Sequence, residues 1–158
     1  MLVRKGFTLI ELLVVIAVIG IIAAIIVVAL GGARNRSQDA KVKVQVSGAK
    51  NAAEIYFNSS GGYGAANVSV VSGGASCAGA MFTDANSSMA AYADSDNYPG
   101  GAGLVCVQNS SAFAFAASLS ISGEYWCADS SGNPGKITIS NPASVVTSDD
   151  TCSELDAR

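Results

Sequence analysis

The chain has no histidine among its 158 residues, and charged residues make up only 13% of it. Without histidine there is no Ser-His or Cys-His nucleophile pair, and a zinc site would have to be built from cysteine and carboxylate. Neither GxxxxGK[ST] nor GxGxxG is present, so the usual phosphate-cradling loops are absent and the glycines fall in loop-like runs. A Ser-Lys pair would need Lys136, which stands beside a turn without an accompanying motif. No catalytic constellation is left, and a non-enzymatic chain without a cofactor is expected.

Cysteine is scarce and widely spaced. Cys77, Cys106, Cys127 and Cys152 form no Cys-x-x-Cys, and their long separations do not match zinc knuckles. Two disulfides in an oxidising compartment are the expected use. One acidic stretch, ADSDNYPGG, gathers Asp94, Asp96 and Asn97 but lacks the Asp-x-Asp-x-Asp-Gly spacing of a calcium loop, so an Asx-rich turn is expected and no metal site.

What is abundant is apolar and unevenly placed. Hydrophobic residues reach 50%, and the excess lies in the first 30 positions. The run from Phe7 to Leu30 is long enough at ~1.5 Å per residue to cross a ~30 Å hydrocarbon core. Arg4 and Lys5 before it place the short N-terminal end on the cytoplasmic side. Charge is divided as well: residues 1–50 carry seven basic side chains against Glu11 and Asp39, net +5, and residues 51–158 carry two against ten acids, net −8. Arg34, Arg36, Lys41 and Lys43 follow the apolar run as a headgroup-contacting collar, or face acidic domains of neighbouring copies. With an acidic remainder, no nucleic-acid partner is expected.

Glu11 stands alone in the apolar run. A carboxylate in hydrocarbon costs about 2.5–3.5 kcal/mol on insertion scales, so it calls for a partner. A bare helix N-terminus would favour it by only ~0.3–1 kcal/mol.

Beyond Leu30, Val42, Val46, Ala49, Ala53 and Tyr56 recur at helical spacing, which extends the helix to Phe57 and ends it at NSSGG, with Gly61 and Gly62 in left-handed conformations. GLVCVQ, SAFAFAASL, EYWCADS and KITIS read as four short strands between turn signals. Phe113 and Phe115 alternate with alanines and are expected to face Val46, Ala53 and Phe57. The fold class is α+β: a long N-terminal helix, transmembrane in its first half and amphipathic in its second, against a small antiparallel sheet.

The stretch KGFTLIELLVVIAVIGIIAAIIV resembles the N-terminus of type IV pilins and of the related pseudopilins of type II secretion and competence. The resemblance covers about the first 30 residues. It implies a leader, 1–6, that prepilin peptidase removes between Gly6 and Phe7 on the cytoplasmic face, with N-methylation of Phe7. The remaining parts would be a transmembrane and assembly helix, 7–30, an amphipathic stalk, 31–60, and a β-rich extracytoplasmic head, 61–158. The implied chain is an inner-membrane single-pass precursor that the membrane assembly machinery builds into a homo-oligomeric helical filament, as an extracellular pilus or a periplasmic pseudopilus. Glu11 would then meet the Phe7 amine of a neighbour. A membrane-tethered binding module is the alternative from another class.

Many pilins have a proline later in the apolar run, and this chain has none there. Many also close a region near the C-terminus with a disulfide. Four cysteines allow three pairings; Cys127 with Cys152 and Cys77 with Cys106 is the expected one, because it pins a polar tail that would otherwise fray. Cys106 with Cys127 would join strands two apart in a meander.

Overall fold

The computed structural model describes residues 6–132, 134–146 and 148–156; Arg4, Lys5, Asn133 and Arg158 lie outside them. The chain divides into two compact units, residues 1–36 and 37–158.

The helix α1 spans Leu9–Ser60 and passes from one unit into the other. It is helical through Gly20, Gly31 and Gly32, and a Cβ added at any of the three would meet nothing within 4 Å. Packing inside this chain therefore does not require those glycines. In its second half the pattern is amphipathic as expected, and the buried stripe is Val42, Val46, Ala49, Ala52 and Ala53. Beside that stripe Gly48 lets the helix lie close to its neighbour: a Cβ there would come within 2.7 Å of the Tyr92 hydroxyl oxygen.

Gly61 ends the helix in the left-handed region, φ +77°, with its N–H donating to the Phe57 carbonyl at 2.8 Å. Gly62 does not adopt that conformation. Its lack of a side chain serves a close approach instead, since a Cβ there would lie 2.7 Å from the Ser110 carbonyl oxygen.

The sheet has five strands in the order of the chain, each antiparallel to the next: β1 Asn67–Val71, β2 Leu104–Gln108, β3 Phe113–Ser118, β4 Glu124–Asp129 and β5 Gly135–Thr138. Four of these are the strands expected from alternation. The fifth, β1, lies in a Ser- and Gly-rich stretch whose pattern predicts no strand. Strand β5 stops at Thr138, where the Thr138 N–H donates to the Asp156 carboxylate rather than to another strand.

Alternation assigns the two faces of the sheet. Phe113, Phe115 and Ala117, with Leu104, Cys106 and Ala128, pack against Val46, Ala49 and Ala53 of α1, and Phe57 borders the cluster. Ala114 and Ala116, with Val105, Val107, Cys127 and Ile137, face the other way and are covered by Ile139, Val145 and Leu155 of the C-terminal segment. The sheet is thus the middle of three layers, and the outer layer is the tail. That tail ends in the short helix α3, Cys152–Leu155, whose N-cap Thr151 and Glu154 bond each other's backbone N–H reciprocally.

Candidate functional site

The apolar start of α1 is uncovered. Phe7 is 85% exposed, Leu9 84% and Val28 82%, and every large apolar side chain from Phe7 to Leu30 is at least half open to its surroundings or close to it. The segment is long and apolar enough to cross a membrane. Side chains of this kind have no reason to stay in water at about 25 cal/mol per Å² of apolar surface. They call for an apolar environment to cover them.

The geometry at its first turn answers part of the question raised by Glu11. Thr8 is the residue before the helix, and Glu11 is the third residue in it. The Glu11 Oε2 accepts from the Thr8 backbone N–H at 2.9 Å and from the Thr8 hydroxyl at 2.8 Å, while the Glu11 N–H donates to the Thr8 Oγ1 at 3.3 Å. This is a capping box, Thr-x-x-Glu, closed within four residues. One carboxylate oxygen is therefore held locally and Oε1 is left for a second contact. Both members lie beyond the Gly6–Phe7 bond, so cutting that bond would leave the box whole. Gly6 and Phe7 themselves are exposed, and a Cβ on Gly6 would meet nothing within 4 Å.

The basic residues after the apolar run separate into two groups. Arg34, Arg36 and Lys41 are exposed. Lys43 and Lys50 instead tie the amphipathic half of the helix to the sheet side: the Lys43 ammonium stands 4.7 Å from the Trp126 ring centroid, and Lys50 donates to the Gly132 carbonyl. Asp39 accepts from the Ser120 N–H at 2.8 Å and the Ser120 hydroxyl at 2.9 Å. Gln45 donates to the Asn97 carbonyl at 2.7 Å. Side chains that a helical wheel places away from the apolar stripe thus anchor the helix at its margins.

Both disulfides lie in the head. Cys77 is bonded to Cys106, with Cα atoms 6.2 Å apart, and Cys127 to Cys152, 5.8 Å apart. Register explains why Cys106 does not pair with Cys127. Cys106 is opposite Phe115, and Cys127 is opposite Ala116, so the two point to opposite faces of the sheet. Two strand spacings also separate them by roughly 9.5 Å, beyond disulfide reach.

Asp129, the last residue of β4, ties the tail to the sheet. It is buried beside Cys127 and takes four hydrogen bonds: Oδ1 from the Ser131 N–H, the Ser131 hydroxyl and the Gly132 N–H, each at 2.9 Å, and Oδ2 from the Cys152 N–H at 2.7 Å. Burial pushes its carboxyl up, but the bonds from Cys152, Ser131 and Gly132 outweigh that and hold it below the ordinary carboxylate range. Nothing in the sequence pattern marked this residue. An Asp followed two residues later by Ser is the local sign of such a turn, and the Cys152 contact is visible only in three dimensions.

A folded-state value below the unfolded one makes this contribution complete above about pH 4 and lost as pH falls through the lowered value. Asp129→Asn puts an amide donor where only donors point, and should lower head stability by about 1–3 kcal/mol at neutral pH. Denaturant unfolding between pH 7 and pH 3 checks it. The variant should also lose part of the acid sensitivity of the parent.

The remaining acidic candidates act locally. Asp94 caps a short 3-10 turn, Ser95–Asn97, by accepting from the Asp96 N–H at 3.0 Å, and Asn97 donates to the Ala91 carbonyl at 2.7 Å. Lys136 pairs with Glu124 at 2.8 Å across two neighbouring strands.

The prokaryotic N-terminal methylation motif matches residues 1–30. The chain is 48% identical over 52 residues to the type IV wide pilus major component PilA4 of Thermus thermophilus, which is 33% of this chain and 40% of that protein. It is 45% identical over 65 residues to the fimbrial protein EcpC of Eikenella corrodens, 41% of this chain and 42% of that one. The chain thus matches about two fifths of the length of these curated relatives. No solved structure matches it. These matches support the type IV pilin family, and the α+β fold agrees with it.

Proposed function

We propose that a chain beginning as the type IV pilins do serves as a structural subunit of a type IV pilus-like surface filament. In this reading it is made as an inner-membrane precursor with its head outside the cytoplasm. Prepilin peptidase cuts between Gly6 and Phe7 and methylates Phe7, and the inner-membrane assembly machinery moves the apolar helix from lipid into a bundle of copies of itself. The observation that carries it is the uncovered apolar helix, whose first turn holds Glu11 with one carboxylate oxygen bonded and one open.

Assembly follows from simple energetics. The apolar side chains exchange lipid for other helices at little cost, so packing and polar contacts must supply the preference for the filament. Gly20, Gly31 and Gly32, which no contact in this chain requires, let helices of neighbouring copies approach closely. After the cut, the Phe7 amine is a cation four positions before Glu11, whose Oε1 is open. A neighbour's amine on that oxygen pairs two charges in a medium where either alone is penalised. The contact fixes axial register, and the Thr8 bonds aim the carboxylate for it.

Gly6→Val should leave the precursor uncut in the inner membrane and abolish the filament. Blotting membrane fractions for the longer form, and imaging sheared surface material for filaments that contain this chain, tests the proposal. Normal filaments from the Gly6→Val variant would contradict it.

A further inference from the structure

Five asparagines, Asn35, Asn58, Asn67, Asn86 and Asn109, are each followed two residues later by serine, with no proline between. Asn-x-Ser is the acceptor pattern for N-glycosylation, and in a chain rich in Asn and Ser it arises easily by chance. An acceptor must offer its amide nitrogen and the hydroxyl two residues on to the same enzyme groove. The structure separates the five by that requirement.

Asn35 and Asn58 lie inside α1, where residues i and i+2 point to different sides. The Ser60 hydroxyl of the second is also spent on the Tyr56 carbonyl at 2.7 Å. Asn67 is in β1, half-buried and paired with Gln108, and its Ser69 hydroxyl accepts from the Ala78 N–H at 3.0 Å. The Nδ2 of Asn109 is occupied by the Asp150 carboxylate, which ties that loop to the tail.

Asn86 differs from the other four. It is exposed on a turn outside helix and strand, as is Ser88, and Ser88 holds a left-handed backbone, φ +67°, that reverses the chain just after the acceptor. The turn is built by Asp84, whose Oδ2 accepts from the Ser87 N–H at 2.7 Å and whose Oδ1 receives a long 3.4 Å contact from the Asn86 Nδ2. The frame is thus fixed by Asp84 and the buried Ser87, while Asn86 and Ser88 remain accessible.

We infer that Asn86 is an N-glycosylation site on the head, accepting an oligosaccharide from a lipid-diphosphate-linked sugar donor. In the transfer the Asn86 Nδ2 attacks the anomeric carbon and forms a C–N bond. The C–O bond to the diphosphate breaks, the lipid diphosphate leaves with the electron pair, and one amide proton passes to solvent. The inference rests on the extracytoplasmic placement of the head in the proposed function. A sugar chain there would stand beside the shallow hollow that Ser88 shares with Asn51 and Ile55, shielding an exposed apolar side chain.

The test uses chain sheared from the surface of cells that make it naturally, digested and analysed by mass spectrometry with electron-transfer fragmentation. The peptide containing Asn86 is expected to carry a glycan mass on that residue. Asn86→Gln and Ser88→Ala should each abolish the added mass, and Asn109→Gln should keep it. An unmodified Asn86 on surface chain, or an added mass that survives Asn86→Gln, would overturn the inference. A head that external protease cannot reach in intact cells would overturn the functional reading, and this inference with it.

Discussion

Glu11→Ala is expected to yield a chain that is inserted and processed but builds few filaments. A neutral first turn is cheaper in lipid by about 2.5 kcal/mol or more, so insertion does not suffer. What should disappear, on the proposed function, is the partner for the Phe7 amine of the next copy. Removing one member of a buried pair costs about 3–5 kcal/mol, equivalent to a hundredfold or greater loss in association. Alanine also removes the Glu11 half of the capping box, while the Thr8 Oγ1 can still accept from the residue 11 N–H. Glu11→Gln separates the two effects, because glutamine at the third helical position still closes the box with Thr8 but carries no charge. Filament yield, measured by shearing and quantitative blotting, should be as low for Glu11→Gln as for Glu11→Ala. Recovery of filaments with the glutamine variant would assign Glu11 to capping alone.

The second large effect is at Cys127–Cys152. Replacing both by serine opens a loop spanning a sequence separation of 25 and should lower stability by about 3 kcal/mol in the chain-entropy model. That is a large share of the ~5–15 kcal/mol that holds a small domain together. The consequence goes beyond entropy, because the tail covers a face of the sheet. Ile139, Val145 and Leu155 lie over Val105, Val107, Ala114 and Ala116, and Asp129 holds the Cys152 N–H. Freeing the tail exposes that apolar face. Denaturant unfolding of the detergent-solubilised chain should show the loss in midpoint, and limited proteolysis should cut first between residues 139 and 156. Unfolding and proteolysis identical to the parent would contradict the tail's place as an outer layer.

The parts of this protein that were legible in its sequence are those written in long periodic signals. The apolar run, the stripe from Val42 to Ala53 and the alternating Phe113 and Phe115 each repeat often enough to fix an element and a face. Strand β1 was not legible, because Asn67–Val71 is five residues set in Gly and Ser with none of them fully buried, and its place in the sheet comes from pairing with β2 rather than from its own pattern. The tail layer was not legible either. Its three apolar contacts sit at irregular spacing among polar residues, so only the folded chain shows that they share a face.

The first turn is a different case. Thr8 and Glu11 stand at capping-box spacing in plain view, but the cost of a carboxylate in hydrocarbon turns the search toward a distant partner and away from the residue three positions before it. Gly62 shows the same limit in a loop. Two adjacent glycines after a helix suggest a shared conformational reason, whereas one serves a left-handed turn and the other a contact with Ser110.

On the proposed function, this chain is cut at Gly6–Phe7 and polymerises through its apolar helix, with the amine that the cut exposes pairing with a neighbour's Glu11. Mass spectrometry of the N-terminal peptide from sheared surface filaments tests it most directly. The account predicts a peptide that begins at Phe7 and carries one methyl group on its amine. A peptide that begins at Met1, recovered from the same filaments, would contradict it.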